Sequence, residues 1–263
     1  MTLRSPARLF AALALVLLSA CSTLVPSPAA PPATATEAHA AWARVLGRFV
    51  DAQGEVDFVS LAAERNDLDR FLRFVADTPL ESVRGEEEKL AHMINAYNAL
   101  SMFNVVASAI PRSHDGWNKV RFFVLRRFDI GGRWMSLRGF ENDVIRPLAR
   151  ARGDPRVHFA LNCSALSCPT LPRLPFTATA LDAELERESR AFFARPQNFR
   201  VEPAERVVWL NEILKFYSED FVPVPARTLI EYANRYAPTP APTDYAVRFT
   251  PYDWTIANNR RKR

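Results

Sequence analysis

The segment 154–169 concentrates the side chains best suited to covalent chemistry: Cys163, Cys168, His158 and several hydroxyl groups. A thiolate at a tight turn can act as a nucleophile, because backbone N–H groups lower the pKa of a thiol and can stabilise an oxyanion. We therefore predict Cys163 as a candidate nucleophile with His158 as its base. Glu141, on the preceding predicted helix, would be the carboxylate that orients the histidine.

The same residues also suit less reactive roles. The two thiols could form a local disulfide, Cys163–Cys168, in an oxidising compartment. If residues 157–162 form an extended strand, His158 and Cys163 lie roughly 16 Å apart at ~3.3 Å per residue, so His158 could instead be a core histidine. A zinc site lacks a fourth ligand and the usual Cys-x₂₋₄-Cys spacing, so we predict no metal. No histidine follows Cys163, which excludes the papain order. A thiol oxidoreductase stays open, although the spacing differs from Cys-x-x-Cys.

A second group of polar residues could bind a ligand or serve the structure. Asn95 and Asn98 share a helix face with three-residue spacing, and Tyr97 lies between them. Buried amides need partners, so they either tie the helix to a loop or line a pocket. Asp253 is flanked by aromatic residues that could bind a sugar or peptide, or seal the core. Ser164 completes this predicted ligand or structural polar site.

Hydrophobic periodicity indicates the elements that must position these residues. It predicts helices over residues 41–50, 67–76, 86–110, 136–148, 179–192, 211–217 and 228–236. It predicts strands over residues 56–59, 128–130, 133–135, 156–161, 207–210 and 247–249, with 252–254 as part of a late strand. Gly131-Gly132 marks a hairpin turn. We expect an α+β fold: one helix-rich domain over residues 39–257, with a central long helix and a small, largely antiparallel sheet.

The first 20 residues have the order of a secretory signal: Arg4 and Arg8, an apolar run over 9–18, then small residues. Residues 18–21 resemble a bacterial lipobox, so we predict that Cys21 is acylated and becomes the first mature residue. By resemblance to lipoprotein sorting signals, Ser22 favours the outer membrane, with the domain in the periplasm. Residues 21–38 are predicted to be a lipidated, Pro/Ala-rich stalk, and residues 258–263 a basic tail.

The net charge of +5 comes from the ends of the chain, since Arg4, Arg8 and residues 260–263 exceed the whole surplus. A nucleic-acid partner would need a basic face on the domain, so none is predicted. The chain has eight glycines and no nucleotide-binding loop, so we predict no cofactor. The predicted partners are the membrane, through Cys21, and a cell-envelope protein or peptide.

Five sequence blocks together resemble one known family: INAYNAL (94–100), FDIGGRWMSLRGFENDVIR (128–146), DPRVHFALNCSALSCPTL (154–171), LNEILKFYSEDF (210–221) and PYDW (251–254). They resemble the bacterial family of domains of unknown function numbered five-four-seven, which also has plant members. The resemblance implies an uncharacterised domain, often in exported proteins. The residues that match the pattern of the family are Asn95, Tyr97, Asn98, Glu141, His158, Cys163, Cys168 and Pro169. Family members often carry an aromatic pair where this chain has His92 and Met93.

The family supplies no reaction, so two functions are carried forward. The first is an exported, lipid-anchored envelope protein whose domain binds a partner or a small ligand. The second is a Cys163-dependent acyl-transfer enzyme, a cysteine hydrolase or transpeptidase-like, that acts on peptide or amide bonds in the cell envelope. The sequence leaves open whether the protein is an enzyme.

Overall fold

A computed structural model describes residues 22–262, and it confirms the predicted α+β class. Within this range the helices surround one long helix, and the strands form two small sheets instead of one. Each sheet contains one antiparallel and one parallel pairing, so both are mixed. The predicted signal peptide and Cys21 lie outside the described residues.

The helices are α1 (Ala35–Phe49), α2 (Phe58–Ala63), α3 (Asn66–Asp77), α4 (Glu86–Ala107), α5 (Trp117–Val120), α6 (Leu137–Phe140), α7 (Arg146–Ala151), α8 (Leu181–Phe193), α9 (Ile213–Phe216), α10 (Ser218–Phe221) and α11 (Leu229–Ala233). Short π-helical segments are Arg121–Leu125 and Glu141–Ile145, and 3₁₀ turns are Pro155–Phe159 and Asn259–Lys262. The first sheet contains β1 (Thr23–Val25), β2 (Arg126–Ile130) and β3 (Arg133–Met135). The second contains β4 (Phe199–Glu202), β5 (Val207–Asn211) and β6 (Ala246–Thr250).

Helix α4 is the predicted central helix, and every residue from 90 to 105 is buried. Three glutamates, Glu86, Glu87 and Glu88, begin it, where negative charge favours the helix dipole. It ends at Ala107, three residues earlier than predicted, because Ala109 and Ile110 take left-handed conformations with φ of 57° and 52°. Because the helix is buried on all sides, its polar side chains can find hydrogen-bond partners only in neighbouring segments.

The described part of the predicted stalk, residues 22–38, is attached to the domain. Thr23–Val25 pairs in parallel with β2, and α1 begins at Ala35. Thr34 and Glu37 form a capping box, in which the Thr34 N–H donates to Glu37 Oε2 at 2.9 Å and the Glu37 N–H donates to Thr34 Oγ1 at 3.3 Å. Composition suggested a linker, whereas this local cap and one added strand attach the segment to the domain.

Two predicted strands are wrong, because local side-chain caps start helical turns there. In residues 56–59 only Val56 makes β-bridges, and the chain enters α2 at Phe58 after Asp57 Oδ1 accepts from the Ser60 N–H at 3.0 Å. Residues 156–161 include a 3₁₀ turn that begins at Pro155, where Asp154 Oδ1 accepts from the Arg156 N–H at 3.2 Å. The assumption of an extended chain between His158 and Cys163 therefore fails.

Other predicted elements have different outcomes. The hairpin over 128–135 is confirmed, and its turn residues Gly131 and Gly132 have φ of 61° and 80°. A Cβ on Gly131 would lie 2.6 Å from the Thr78 carbonyl oxygen, so this turn also requires glycine for close packing. The strand prediction for 252–254 is wrong, since β6 ends at Thr250. Asn211, predicted to cap the helix that runs through Tyr217, is the last residue of β5, and its Oδ1 accepts from the N–H of Ile213, the first residue of α9, at 2.9 Å.

The core consists of two hydrophobic clusters. The larger one surrounds α4, and the smaller one contains Phe159, Phe192, Phe221 and Tyr232 with neighbours from β5 and α11. Tyr252 packs against both clusters, so the C-terminal segment closes the junction between them. None of the helices in residues 22–262 is long and apolar enough to cross a bilayer.

Candidate functional site

Two adjoining cavities lie at the junction between the two clusters. An outer cleft of about 610 Å³ opens to the surface, and an inner pocket of about 60 Å³ lies behind it. The residues that line both cavities are Phe123, Glu141, Phe216, Tyr217 and Trp254. Because they share these residues, the two cavities adjoin each other and are treated as one site.

Glu141 is the carboxylate of this site, and it begins the π-helical segment between α6 and α7. It is only 6% exposed, and the Tyr97 hydroxyl donates to its Oε2 at 3.1 Å. A π-helical turn displaces the following side chains relative to an α-helix and is common at functional sites. Here it directs a charged side chain toward the cavity, while Tyr97 reaches it from α4.

Three tyrosine hydroxyls surround this carboxylate. Burial, together with the nearby negative charge of Glu141, raises the pKa of Tyr97, Tyr217 and Tyr252 well above the usual range. The three phenols therefore stay neutral and can act as hydrogen-bond donors at any physiological pH. They provide a polar but uncharged inner surface beside one carboxylate.

The two cysteines line the inner pocket as a disulfide. Cys163 and Cys168 are bonded, with Cα atoms 6.0 Å apart, and both are nearly buried. The Tyr252 hydroxyl donates to Cys168 Sγ at 3.2 Å and lies 3.5 Å from Cys163 Sγ. The bond was one of the alternatives open from the sequence, and in this structure it occupies the thiol that would have been the nucleophile.

Buried polar contacts fix the loop that carries the disulfide. The Asn98 amide donates to the Ala160 carbonyl at 3.0 Å and accepts from the Asn162 N–H at 2.8 Å. Ser164 has a φ of 62°, and its hydroxyl is hydrogen-bonded to the Ser101 hydroxyl, with the two Oγ atoms 3.0 Å apart. Two side chains of α4 thus hold the turn on either side of Cys163, so Asn98 and Ser164 have structural roles here.

Asn95 makes a similar attachment further toward the start of α4. Its Oδ1 accepts from Trp42 Nε1 at 3.1 Å and from the Phe176 N–H at 3.0 Å, while its Nδ2 donates to the Phe176 carbonyl at 2.7 Å. The amide therefore has its partners within the core and does not line either cavity. Tyr97, between the two asparagines, points to another side of the helix and does line the inner pocket.

The predicted base, His158, faces a carboxylate other than Glu141. Its Nε2 lies 2.7 Å from Asp220 Oδ2, and its ring stacks on Tyr217 with centroids 4.2 Å apart. Arg146 and Arg150 also pair with Asp220. Burial alone would raise the pKa of Asp220, but the hydrogen bonds from these three groups hold it well below its usual range. His158 thus lines the inner pocket and is hydrogen-bonded to the carboxylate that pairs with Arg146 and Arg150.

The structure therefore brings some predicted residues together and separates others. Glu141, His158, Cys163 and Cys168 all line the inner pocket. Within residues 22–262 no hydrogen bond joins His158 to Cys163 or to Glu141, and each has another partner. Asp253 is exposed and its Oδ1 accepts from the Thr255 N–H at 2.9 Å, while the aromatic residues on either side of it enter the pocket.

Sequence reasoning missed several residues of the site. His114 is fully buried, and its Nε2 lies 2.9 Å from the Cys163 carbonyl oxygen. Burial lowers its pKa to about 4, so the ring is neutral near pH 7. Tyr217 and Asp220 were not predicted as site residues either, although they follow α9 in a block that resembles the family. Their sequence context is that of any amphipathic turn, so no local signal could have identified them.

Cations lie around the mouth of the outer cleft. Lys119, Arg138 and Arg146 line it, together with Glu219, which pairs with Arg146. The Lys119 Nζ lies 3.5 Å from the centroid of the Trp254 ring, a cation–π contact. Among residues 22–262 no cluster of three or more His, Cys, Asp or Glu side chains could hold a metal ion. The site is thus a basic mouth that leads to an aromatic pocket with a single acid.

The fold and site define an α+β domain with an aromatic cleft bordered by a disulfide. Residues 80–193 match the family model described as "Protein of unknown function, DUF547", so this part of the chain is similar to that uncharacterised family. The match covers α4 through α8, including Tyr97, Glu141, His158 and both cysteines. Tyr217, Tyr252 and Trp254 lie beyond it. Comparison with curated proteins and with solved structures gave no significant match.

Proposed function

We propose that this protein is a lipid-anchored envelope protein whose domain binds a small ligand in the outer cleft and inner pocket. The observation that carries the proposal is that two cavities, with volumes of about 610 and 60 Å³, adjoin each other and share five lining residues. Ligand sites are concave, largely apolar and supplied with a few convergent polar groups. Here Phe216 and Trp254 provide the apolar surface, and Glu141 provides a buried polar end.

Binding is tested by NMR of the tryptophan indole N–H groups in the full chain, held in a neutral maltoside detergent. The panel contains soluble cell-wall muropeptides, free amino acids and simple sugars. A ligand of the site is expected to shift the Trp254 signal, assigned with Trp254→Phe, and to leave Trp134 of β3 unchanged. If no member of the panel shifts Trp254 selectively, the ligand-binding proposal fails.

The proposal of export and anchoring to the outer membrane is based on the predicted signal peptide and on Cys21, which lie outside the described residues. The disulfide supports this part of the proposal, because such bonds persist in oxidising compartments such as the periplasm. Labelling of cells with a palmitate analogue tests it. The wild type is expected to carry the label and sediment with outer membranes, whereas Cys21→Ala is expected to stay unlabelled. An unlabelled wild type would argue for another way of export.

The second candidate is the Cys163-dependent acyl transfer. It is favoured by one observation, that Cys163, His158 and Glu141 line the same pocket. It requires the Cys163–Cys168 bond to be reduced and His158 to leave Asp220. Alkylation of the native protein without reductant tests it. Rapid labelling of Cys163 below pH 7, lost in Cys163→Ser, would favour the enzyme, whereas resistance of both cysteines until reduction favours ligand binding.

A further inference from the structure

The inner pocket has the composition of a cage for an organic cation. The aromatic residues that line it are Tyr97, Phe123, Phe216, Tyr217, Tyr252 and Trp254. The face of an aromatic ring carries negative electrostatic potential and attracts ammonium groups, and aromatic cages recognise methylated ammonium in this way. A single carboxylate, Glu141, lies in the wall of the same pocket.

Glu141 has no cationic partner within the described range. Its neighbours are phenols, and Tyr97 donates to it. Arg146, five residues further along the same helical segment, pairs with Glu219 at 2.8 Å and with Asp220 at 2.9 Å. Burying a carboxylate is costly unless it is paired with an opposite charge. A cation from a ligand would supply the charge that the protein itself does not provide.

The protein already places an ammonium group in the adjoining outer cleft. Lys119 Nζ lies 3.5 Å from the centroid of Trp254, whose side chain lines both cavities. This contact is an intramolecular example of the interaction that a ligand would make with the inner rings. Within residues 22–262 Lys119 forms no ion pair with Glu141, so the Lys119–Trp254 contact leaves that carboxylate free for a ligand.

The pocket also limits the size of the group it can take. A cavity of roughly 10–15 Å³ holds one water, so a pocket of about 60 Å³ admits a group of a few non-hydrogen atoms, such as an ammonium or a small methylated ammonium. The rest of the ligand would lie in the outer cleft, beside Lys119 and Arg138. Arg146 already pairs with Glu219 and Asp220, so the other two cations favour an anionic group at that end.

We propose that the inner pocket binds the ammonium group of a small zwitterionic ligand, with Glu141 as its counter-ion and Phe216, Tyr252 and Trp254 as its aromatic cage. The anionic group of the ligand lies at the basic mouth of the outer cleft. This inference rests on the ligand-binding function proposed above and specifies the chemistry of its ligand.

Two matched pairs of probes test the inference on the full chain in maltoside detergent. Phosphocholine is compared with 3,3-dimethylbutyl phosphate, which replaces the charged nitrogen by carbon. Aminohexanoate, with its terminal ammonium, is compared with hexanoate. Titration calorimetry gives the affinities, and the Trp254 indole signal reports the location. In at least one pair the ammonium compound is expected to bind about tenfold more tightly than its uncharged partner.

Two variants connect this preference to the carboxylate. Glu141→Gln keeps an acceptor for Tyr97 and removes the charge, so it is expected to lower the affinity of the ammonium compound to that of its partner. Asp143→Asn, in the same π-helical segment but exposed, removes an equal charge and is expected to change nothing. Thermal unfolding of both variants shows whether the fold is retained.

The outcomes separate this inference from the proposed function. Equal affinities within both pairs, together with a Trp254 shift, overturn the cation cage and leave a ligand site. An ammonium preference that survives Glu141→Gln overturns the role of Glu141 as counter-ion. Absence of any Trp254 shift with all four probes also overturns the inference, while the wider panel described above decides the binding function on its own.

Discussion

Asp220 shows how one residue can organise the back of a site. Its side chain is 3% exposed, and it accepts from His158, Arg146 and Arg150. Asp220 shares Arg146 with Glu219, and the His158 ring that Asp220 holds stacks on Tyr217. Arg146 is therefore paired with two acids of α10 and forms no ion pair with Glu141 within residues 22–262.

Removal of Asp220 is expected to be strongly destabilising. Asp220→Ala leaves the largely buried Arg146 guanidinium and the buried His158 ring without their acceptor, so we expect a loss of about 3–5 kcal/mol in the free energy of unfolding. The exposed acid Asp244, which pairs with Arg206, is the control, and Asp244→Ala should cost less than about 1 kcal/mol. Urea denaturation measures both. Equal losses in the two variants would contradict the role assigned to Asp220.

His92 makes stability depend on pH. It is buried in α4 against Phe74, and its Nε2 has no hydrogen-bond partner. Burial, with a smaller contribution from His39, lowers its pKa to about 4. An unfolded histidine titrates near about 6.5, so between these values the unfolded chain binds more protons. Stability is therefore expected to fall as the pH drops from about 6.5 to about 4.

His92→Phe is expected to weaken this pH dependence. Phenylalanine fits the apolar surroundings and takes up no proton, so the fall in unfolding free energy between pH 6.5 and 4 should become shallower. His114, whose pKa burial also lowers to about 4, remains and should preserve part of the slope. Urea midpoints across this pH range measure the effect. Parallel curves for the variant and the wild type would show that His92 does not titrate as described.

At the scale of elements, α4 positions the site through a row of polar side chains. Asn95, Asn98, Ser101 and Asn104 follow one another at three-residue spacing, and each contacts a different segment outside the helix. Three-residue spacing keeps such side chains close to one helix face. The helix thus fixes the loops that carry Phe176, the disulfide and Phe122 relative to one another.

Asn98→Ala tests this element. It leaves the Asn162 N–H and the Ala160 carbonyl without their side-chain partner inside the core, so we expect a loss of about 2–4 kcal/mol in the free energy of unfolding. Asn118 is an exposed asparagine, the second residue of α5, and serves as the control. The free energy of unfolding of Asn118→Ala should stay within about 0.5 kcal/mol of the wild type. Chemical denaturation compares the two. A small loss for Asn98→Ala would mean that water replaces the amide.

At the scale of the whole molecule, the site depends on closure by the C-terminal segment. The backbone of residues 253–257 bonds to two loops: the His114 N–H donates to the Trp254 carbonyl at 2.9 Å, and the Leu166 N–H donates to the Thr255 carbonyl at 2.9 Å. Tyr252 then fills the junction between the two hydrophobic clusters. Ligand pockets commonly lie at such junctions between packed units.

The disulfide is expected to contribute to global stability as well as to the wall of the pocket. It closes a short loop, for which chain entropy predicts about 2 kcal/mol. The double variant Cys163→Ala/Cys168→Ala should unfold at correspondingly lower urea concentration. Reductant should lower the midpoint of the wild type and leave that of the double variant unchanged. A wild-type midpoint that does not respond to reductant would contradict this contribution.

The sequence by itself determined the α+β class, the long central helix and the β2–β3 hairpin, because periodicity, charge at a helix start and paired glycines act over a few residues. It also marked Glu141, His158 and the cysteines as a group. It failed at Asp57 and Asp154, where a single side-chain cap converts an apolar run from strand to helical turn.

Only the tertiary structure decided which residues meet in the site. His158 pairs with Asp220 across 62 positions of sequence, and Tyr252 reaches Cys168 across 84. Such contacts arise from the packing of two hydrophobic clusters, and no local propensity encodes them. The proposed ligand chemistry depends on a Glu141 without an ion pair, and this packing contributes to that by pairing Arg146 with Asp220 and Glu219.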